Sequence, residues 1–438
     1  MAITNNVTRH ILPNGMTVLL KEQHTAPVTS WWVLYRIGSR NEPTGLTGVS
    51  HWVEHMMFKG TDQFPAGYLD KAIDREGGMW NAQTSFDYTA YFETLPADRI
   101  GLGLRAEADR MTNARFDPEE VESERTVIIS ERQGHENSPT FWLNEELQAM
   151  IFRVHGYHHE IIGDMTDLET MTRDNLFQHY KTYYAPNNAI AAVVGDFDTT
   201  EMIAQIEALF GALPAETLPR TFVRPEPPQQ GERRLRIERP SPTPVLSIAY
   251  RVPEAVHPDW IKLYMLDSIL GGASGFGGGG VGNKTSRLYQ ALVKKELAAN
   301  FSSGLLPSID PYLYGIDVTL RDGRTLEEVE AAVFAELDKA INGEITQAEL
   351  DKAKKQARAL FAYSGETVTN QAFMLAYYEH IAGNYEWFIT FEERLQSVTL
   401  DDVHEVAQKY LQPSQRTVGW LVPTGEADDA DGEYDGDE

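Results

Sequence analysis

A cluster of prolines near the middle of the chain is the feature that most restricts how it can fold. Between Leu213 and Glu232, proline occurs at positions 214, 219, 225, 227 and 228. Proline has no amide hydrogen and biases the residue before it towards extended geometry, so the stretch predicts an exposed linker. At 438 residues the chain exceeds one ordinary domain, and this linker divides it into halves of about 210 residues.

The two halves carry similar patterns at matching places. Near the start of each, an alternating apolar stretch contains Pro-Val and ends in Tyr-Arg: Ala26–Arg36 and Thr243–Arg251. Near the end of each, a helical pattern, a Tyr-x-x-Pro sequence and an apolar run follow one another: Arg173–Tyr180, Tyr183–Pro186 and Ala189–Val194, then Leu400–Lys409, Tyr410–Pro413 and Val418–Val422. The repeated order of strand, helix and strand predicts a duplication.

Between these strands, apolar residues recur at helical spacing. The pattern predicts helices at Gly48–Phe58, Ala66–Arg75, Ile100–Asn113, Pro118–Asn137 and Leu326–Ile341. Strands grouped with helices in two copies predict an α+β fold class, with two homologous domains, each a mainly antiparallel sheet layered with helices. We expect a first domain over 1–213, the linker over 214–232, a second domain over 233–424 and an acidic disordered tail over 425–438.

Composition excludes several functional classes. The net charge of −27 argues against a nucleic-acid partner, which needs clustered Lys and Arg. The chain has no run of about 18 apolar residues, so no membrane span is predicted. No signal peptide is visible, which predicts a cytoplasmic location. The chain has no cysteine, so a transition metal has to be held by His, Asp or Glu.

One predicted helix carries two histidines and a glutamate on neighbouring positions. His51 and His55 are four residues apart, so both imidazoles face one side of the helix and can reach one ion. Glu54 is close enough to hold a water beside that ion, and the H-x-x-E-H spacing is typical of hydrolytic zinc sites. The alternative is a packed helix face. Bulky neighbours such as Trp52 and Met56 weigh against it, because they make unshared polar groups costly.

A third protein ligand has to come from elsewhere in the chain. The helical segment Glu119–Glu136 offers several carboxylates: Glu120, Glu122, Glu124 and Glu131. Their spacing does not choose among them, since most carboxylates on such a helix form a solvated face.

Three ordered motifs resemble those of the pitrilysin/insulinase family of zinc metallopeptidases. They are H-x-x-E-H, the segment Gly77–Ser85 that reads GGMWNAQTS, and the segment Glu124–Glu131 that reads ERTVIISE. The resemblance implies one zinc per chain, held by His51, His55 and Glu131, with Glu124 as a supporting acidic group. It also implies that Asn81 and Ala82 belong to an edge strand that pairs with the substrate backbone.

The chain length and paired halves resemble the shorter-chain branch of that family, which includes mitochondrial processing peptidase and bacterial relatives and uses two chains. Where relatives often have Arg-Gly-Leu-Ala-Tyr, with an Arg/Tyr pair thought to contact substrate, this chain has Lys295–Ala299. The departure predicts a heterodimer with a homologous, metal-free subunit that supplies the pair. A homodimer is the second choice.

The resemblance thus implies a zinc endopeptidase that cleaves unfolded peptides enclosed between clam-like halves. Glu54 would take a proton from water and pass it to the leaving amine. Two alternatives stay open: a non-catalytic assembly subunit, and a chain that is inactive without its partner.

Two further patterns are interpreted as structural. The cluster of His155, His158, His159 and Glu160 imitates a metal site, but Gly156 and Tyr157 interrupt it. The glycine-rich stretch Gly271–Gly282 lacks the Gly-Lys-Ser/Thr of a phosphate-binding loop and predicts a mobile loop.

Overall fold

The computed structural model describes residues 6–219, 223–273 and 284–425. Its strands are β1 (Thr8–Ile11), β2 (Thr17–Glu22), β3 (Val28–Tyr35), β4 (Met79–Thr84), β5 (Thr89–Pro96), β6 (Ala189–Gly195), β7 (Arg233–Arg239), β8 (Val245–Val252), β9 (Ala298–Leu305), β10 (Tyr312–Leu320) and β11 (Arg416–Pro423). Most of the predicted glycine-rich loop, residues 274–282, and the acidic tail after residue 425 lie outside the described residues.

The helices are α1 (Val49–Met56), α2 (Tyr68–Arg75), α3 (Gly101–Asn113), α4 (Pro118–Glu136), α5 (Pro139–Ile151), α6 (Met165–Thr170), α7 (Arg173–Tyr183), α8 (Thr199–Phe210), α9 (Pro258–Leu270), α10 (Leu326–Ile341), α11 (Gln347–Ser364), α12 (Val368–Ile381), α13 (Glu386–Ile389), α14 (Phe391–Ser397) and α15 (Leu400–Tyr410). The helices predicted at 48–58, 66–75, 100–113, 118–137 and 326–341 are α1 to α4 and α10. Across the described parts of the chain, no helix is both long enough and apolar enough to cross a membrane.

The strands form two sheets with matching strand orders. The first runs β1-β2-β6-β3-β5-β4 and the second β7-β11-β8-β10-β9. In each sheet a parallel pair, β2–β6 or β7–β11, is followed by three antiparallel pairs. This arrangement confirms the predicted fold of two similar, mainly antiparallel sheets layered with helices. The extra strand β1 distinguishes the first sheet.

A helix from the second half of the sequence covers one face of the first sheet. Helix α12 packs on β3 and β6, and its buried residues Ala372 and Leu375 share a core with Leu34, Ala192 and neighbouring sheet residues. Small and large side chains interdigitate at this contact, which lets the helix lie close to the strands.

A helix from the first half makes the reciprocal contact. Helix α5 packs on β7, β8 and β11 of the second sheet. A Cβ atom added to Gly419 on β11 would lie 2.8 Å from a methyl carbon of Leu143 and from one of Leu147, so this glycine admits the helix. The domain boundary at 213 stays a prediction, and the packing adds that each half of the sequence donates a helix to the other half's sheet.

A partly buried group of charges also joins the two halves. The Arg40 guanidinium contacts Asp87 of the first half, with Nε 3.1 Å from Oδ1, and Asp310 of the second. The Tyr157 hydroxyl donates to Asp87 Oδ1 at 2.8 Å. Because each carboxylate is paired and hydrogen-bonded, the cluster can be buried without an isolated charge.

The linker is anchored rather than free along its length. Residues 214–219 and 223–230 form neither helix nor strand, as the prolines predict. Within it, however, the buried Glu226 carboxylate accepts backbone N–H bonds from Arg153, Val154 and His155 at 2.8–3.2 Å. The predicted exposure of the linker is therefore wrong at this residue, whose burial is compensated by three donors.

Candidate metal centre

Helix α1 presents its polar residues on one side and its anchors on the other. Trp52, Val53 and Met56 are fully buried in the first core. The imidazoles of His51 and His55 lie on the opposite side with ring centroids 4.6 Å apart. The apolar anchors fix the rotation of the helix, and that rotation aims both histidines out of the core.

Helix α4 brings one of its many carboxylates to these histidines. Glu131 Oε2 lies 3.8 Å from His51 Nε2 and 3.7 Å from His55 Nε2. The three residues place their ligand atoms within 4.8 Å of one another, and within the described residues they are the one group of this kind. A tetrahedral zinc with ligands at about 2.1 Å needs ligand atoms roughly 3.4 Å apart. The donor set and its spacing therefore fit a zinc ion.

Glu124 of α4 lies behind His55 of α1. Its Oε1 is 2.8 Å from His55 Nδ1, and because an ionised carboxylate only accepts, His55 donates through Nδ1, which leaves Nε2 as the nitrogen on the side of Glu131. Lys59 also contacts Glu124. Burial raises the pKa of Glu124, but hydrogen bonds from His55 and Lys59 outweigh it and lower the pKa overall. An orienting carboxylate of this kind is typical of metal-bound histidine.

The two histidines differ in their electrostatic surroundings. Burial, helped by the neighbouring imidazole of His55, lowers the pKa of His51 to about 3. For His55, burial lowers the pKa, but the bond to Glu124 and the charges of Glu124 and Glu54 raise it overall. His51 is thus neutral at pH 7, the form in which imidazole binds metals.

Glu54 is held by a residue of the neighbouring sheet. The Thr84 hydroxyl of β4 donates to Glu54 Oε2. Burial raises the pKa of Glu54, and the Thr84 hydroxyl opposes that effect in part. The contact connects the end of α1 to the edge of the first sheet, and the charges of His55 and Glu131 act on the Glu54 carboxylate.

Strand β4 is the last strand of the first sheet, so one of its edges is unpaired within that sheet. At the β4–β5 hairpin, the Ser85 N–H donates to the Tyr88 carbonyl at 2.8 Å. Hydrogen-bonded and non-hydrogen-bonded pairs alternate along an antiparallel ladder. The register therefore turns the backbone groups of Trp80, Ala82 and Thr84 towards the free edge.

The side chain of Asn81 covers one of those edge groups. The Ala82 N–H donates to Asn81 Oδ1 at 2.9 Å. A peptide that paired with this edge would replace that local bond with a backbone carbonyl. The residues predicted from the family resemblance to bind substrate therefore lie on an edge that can accept a strand.

A cleft opens between the end of α1, α2 and β4. It is narrow, and it is lined by both apolar and polar residues: Met57, Phe58, Gly60, Thr61, Phe64, Pro65, Gly67, Leu69, Asp70, Trp80, Ala106 and Arg110. The Trp80 and Phe58 rings, 4.7 Å apart, connect it to β4.

The structure brings together the residues predicted for the site and adds two. His51, His55 and Glu131 converge, Glu54 and Glu124 lie beside them, and Asn81 and Ala82 occupy the neighbouring edge. Sequence reasoning missed the roles of Thr84 and Lys59. Thr84 is the next-to-last residue of the quoted GGMWNAQTS segment and Lys59 stands four residues after His55, so both carried a positional signal.

The second histidine cluster is occupied by structural contacts. His155 Nδ1 accepts from the Tyr157 N–H at 3.0 Å and its Nε2 lies 3.2 Å from Asp310. His158 and His159 each hydrogen-bond a backbone carbonyl through Nδ1, at 3.0 Å. These partners join loops and domains, in keeping with the structural interpretation.

Comparison with protein families gives two matches that together span most of the chain. Residues 17–165 match the family described as Insulinase (Peptidase family M16), and residues 170–357 match the Peptidase M16 inactive domain. The second match covers the half that lacks H-x-x-E-H.

Individual relatives agree with these matches. The zinc protease PqqE of Helicobacter pylori is 30% identical over 94% of this chain and 92% of its own. The mitochondrial-processing peptidase subunit beta of Blastocladiella emersonii is 26% identical over 92% of this chain and 86% of its own. The crystal structure of a protease from Helicobacter pylori superposes with a TM-score of 0.89 at 30% identity, covering 95% of this chain and all of that one.

Proposed function

This chain belongs to the insulinase family of M16 peptidases, and we propose that it is a zinc-dependent endopeptidase with Glu54 as its catalytic base. The observation that carries the proposal is the convergence of His51, His55 and Glu131 beside Glu54, next to a sheet edge able to hold a peptide. Relatives named zinc proteases support the metal. The proposed stoichiometry is one zinc per chain.

Each group of the proposed site has its own role in peptide cleavage. When bound, zinc would polarise the scissile carbonyl and lower the pKa of a coordinated water to about 7. Glu54 accepts the proton of the attacking water and returns it to the leaving amine. The free edge at Ala82 aligns the peptide, since backbone pairing holds an extended, unfolded substrate with little regard to its side chains.

Metal content and cleavage test this proposal together. The zinc-reconstituted chain is expected to hold about one zinc, measured by elemental analysis, and to cleave an internally quenched peptide. A chelator should remove the activity and zinc should restore it. A zinc content below about 0.2 per chain without cleavage would instead support a non-catalytic assembly subunit.

The partner is a second part of the proposal. The segment Lys295–Ala299 lacks the Arg and Tyr that family members are thought to use, and one relative is named a subunit of a processing peptidase. We expect the isolated chain to cleave poorly and a homologous, metal-free chain to raise kcat/KM in a titration. Full activity of the isolated chain would contradict this requirement. The cytoplasmic location stays a prediction.

The hydrogen bond from Thr84 is expected to make Glu54 a more effective catalytic base. Thr84→Val removes the hydroxyl that donates to Glu54. A hydrogen bond to a charged group contributes about 1.5–3 kcal/mol, so kcat should fall at least about tenfold, while Thr84→Ser should stay near the wild type. Steady-state kinetics with the quenched peptide and parallel zinc analysis separate this effect from metal loss. Equal kcat for the Val and Ser variants would exclude the role.

A further inference from the structure

Two Glu-Arg dipeptides stand one heptad apart on α4: Glu124-Arg125 and Glu131-Arg132. Seven residues are close to two helical turns, so members of the two pairs point in matching directions. Both glutamates face the histidines of α1. Both arginines face a different neighbour, the connecting segment 162–171, which contains α6.

Arg132 ties the end of α4 that bears Glu131 to the start of this connecting segment. Its buried guanidinium donates to the Gly163 carbonyl through Nη1 and to Glu145 through Nη2 at 2.7 Å. Its Nε donates to Glu136 at 2.9 Å. All three guanidinium nitrogens are thus engaged, and the planar fork leaves little rotational freedom.

Arg125 ties the preceding part of α4 to the other end of the segment. It donates to the carbonyls of Leu168 and Met171, the latter at 2.7 Å. Its Cζ also lies 4.7 Å from the ring centroid of Trp52, the residue after His51 in α1. One guanidinium therefore touches both the segment and the histidine-bearing helix.

The same segment clamps the beginning of α1. The Thr47 N–H and hydroxyl donate to Asp167 Oδ2 at 2.9 and 2.7 Å, and the Thr47 hydroxyl oxygen accepts from the Asp164 N–H at 2.8 Å. A Cβ atom on Gly163 would lie 2.2 Å from the Thr47 carbonyl oxygen. Such close backbone contact leaves no room for the segment to shift against α1.

We propose that Arg125 and Arg132 are positioning residues that set the register of α4 against α1, and thereby place Glu131 within reach of both histidines. A slide of α4 by one residue moves its atoms by about 1.5 Å, enough to separate Glu131 Oε2 from the two imidazoles. This inference rests on the proposed metal site and adds how the site is held in shape.

Zinc affinity of the full chain tests the proposal without relying on cleavage. Arg132→Gln and Arg125→Gln are compared with the wild type by competition with a chromophoric zinc chelator, alongside the unfolding midpoint of each metal-free protein. Loss of orienting partners around a metal typically costs about 10–100-fold in affinity, and we expect at least a tenfold rise in Kd for both variants.

A matched arginine in the second half separates positioning from general stability. Arg394 donates to the Trp387 carbonyl and lies 3.9 Å over the Trp387 ring, but it is not part of the metal site. Arg394→Gln should lower the unfolding midpoint and leave the zinc Kd unchanged.

The outcomes distinguish the positioning role of the two arginines from the proposed zinc-peptidase function. Wild-type zinc affinity in both α4 variants would overturn the positioning role while the proposed function stands. If Arg132→Gln does not fold, the more exposed Arg125 decides by the same criterion. A wild-type chain that binds no zinc would overturn the proposed function, and this inference with it.

Discussion

Replacing Glu54 by Gln is expected to lower kcat for peptide cleavage by about 10²–10⁴-fold, the usual contribution of a general base, while zinc stays bound. The amide keeps the shape of the side chain and can still accept from the Thr84 hydroxyl, which now holds the carboxylate. It cannot take a proton from water at neutral pH. Because His51, His55 and Glu131 are untouched, zinc content by elemental analysis should match the wild type.

A buried carboxylate far from the site provides the control. Glu330 in α10 accepts hydrogen bonds from Arg234 and from the Trp420 indole, both at 2.7 Å. Glu330→Gln should lower the unfolding midpoint and leave kcat within about twofold, since no catalytic group contacts it. Full cleavage by the Glu54 variant with zinc bound would show that another group acts as the base.

Local spacing predicted the part of the site that lies on one helix. His51 and His55 share a face because four residues nearly complete a helical turn, and α1 confirms that geometry. The third ligand, Glu131, could not be selected from local spacing. Helix α4 carries carboxylates on several faces, and their spacing did not indicate which face meets α1. Only the resemblance selected Glu131, and the packing of α4 against α1 brings that carboxylate near both histidines.

Contacts between distant segments could not be predicted from the sequence. The amphipathic pattern of a helix indicates that one face is buried but not which sheet covers it. Nothing local in α5 or α12 marks them as helices that cross to the other half. The same holds for Thr84, whose hydroxyl meets Glu54 only because β4 and α1 pack side by side. The similarity of the two sheets was easier to predict, because a Tyr-x-x-Pro sequence followed by an apolar run occurs in both halves of the chain.

The exchange of helices has a large expected consequence for stability. A fragment ending at residue 221 lacks α12 and exposes the apolar face of the first sheet, where Trp32, Leu34 and Ile190 are now buried. A fragment starting at 222 lacks α5 and uncovers Leu421 and Val245 of the second sheet. Large exposed apolar patches favour aggregation, so each fragment alone should be insoluble or lack a cooperative unfolding transition.

Co-expression of the two fragments should rescue both. The break falls in the linker. The contacts of α5 and α12, and those of Arg40 with Asp87 and Asp310, can therefore still form between the two separate fragments. We expect a soluble one-to-one complex by size-exclusion chromatography, with zinc content near that of the intact chain. Gly419→Leu in the second fragment is the matched test, because its side chain would occupy the space of Leu143 and Leu147 and overpacking costs about 1–3 kcal/mol. That variant should weaken the complex. A first fragment that folds cooperatively and binds zinc by itself would show that the helix exchange is dispensable.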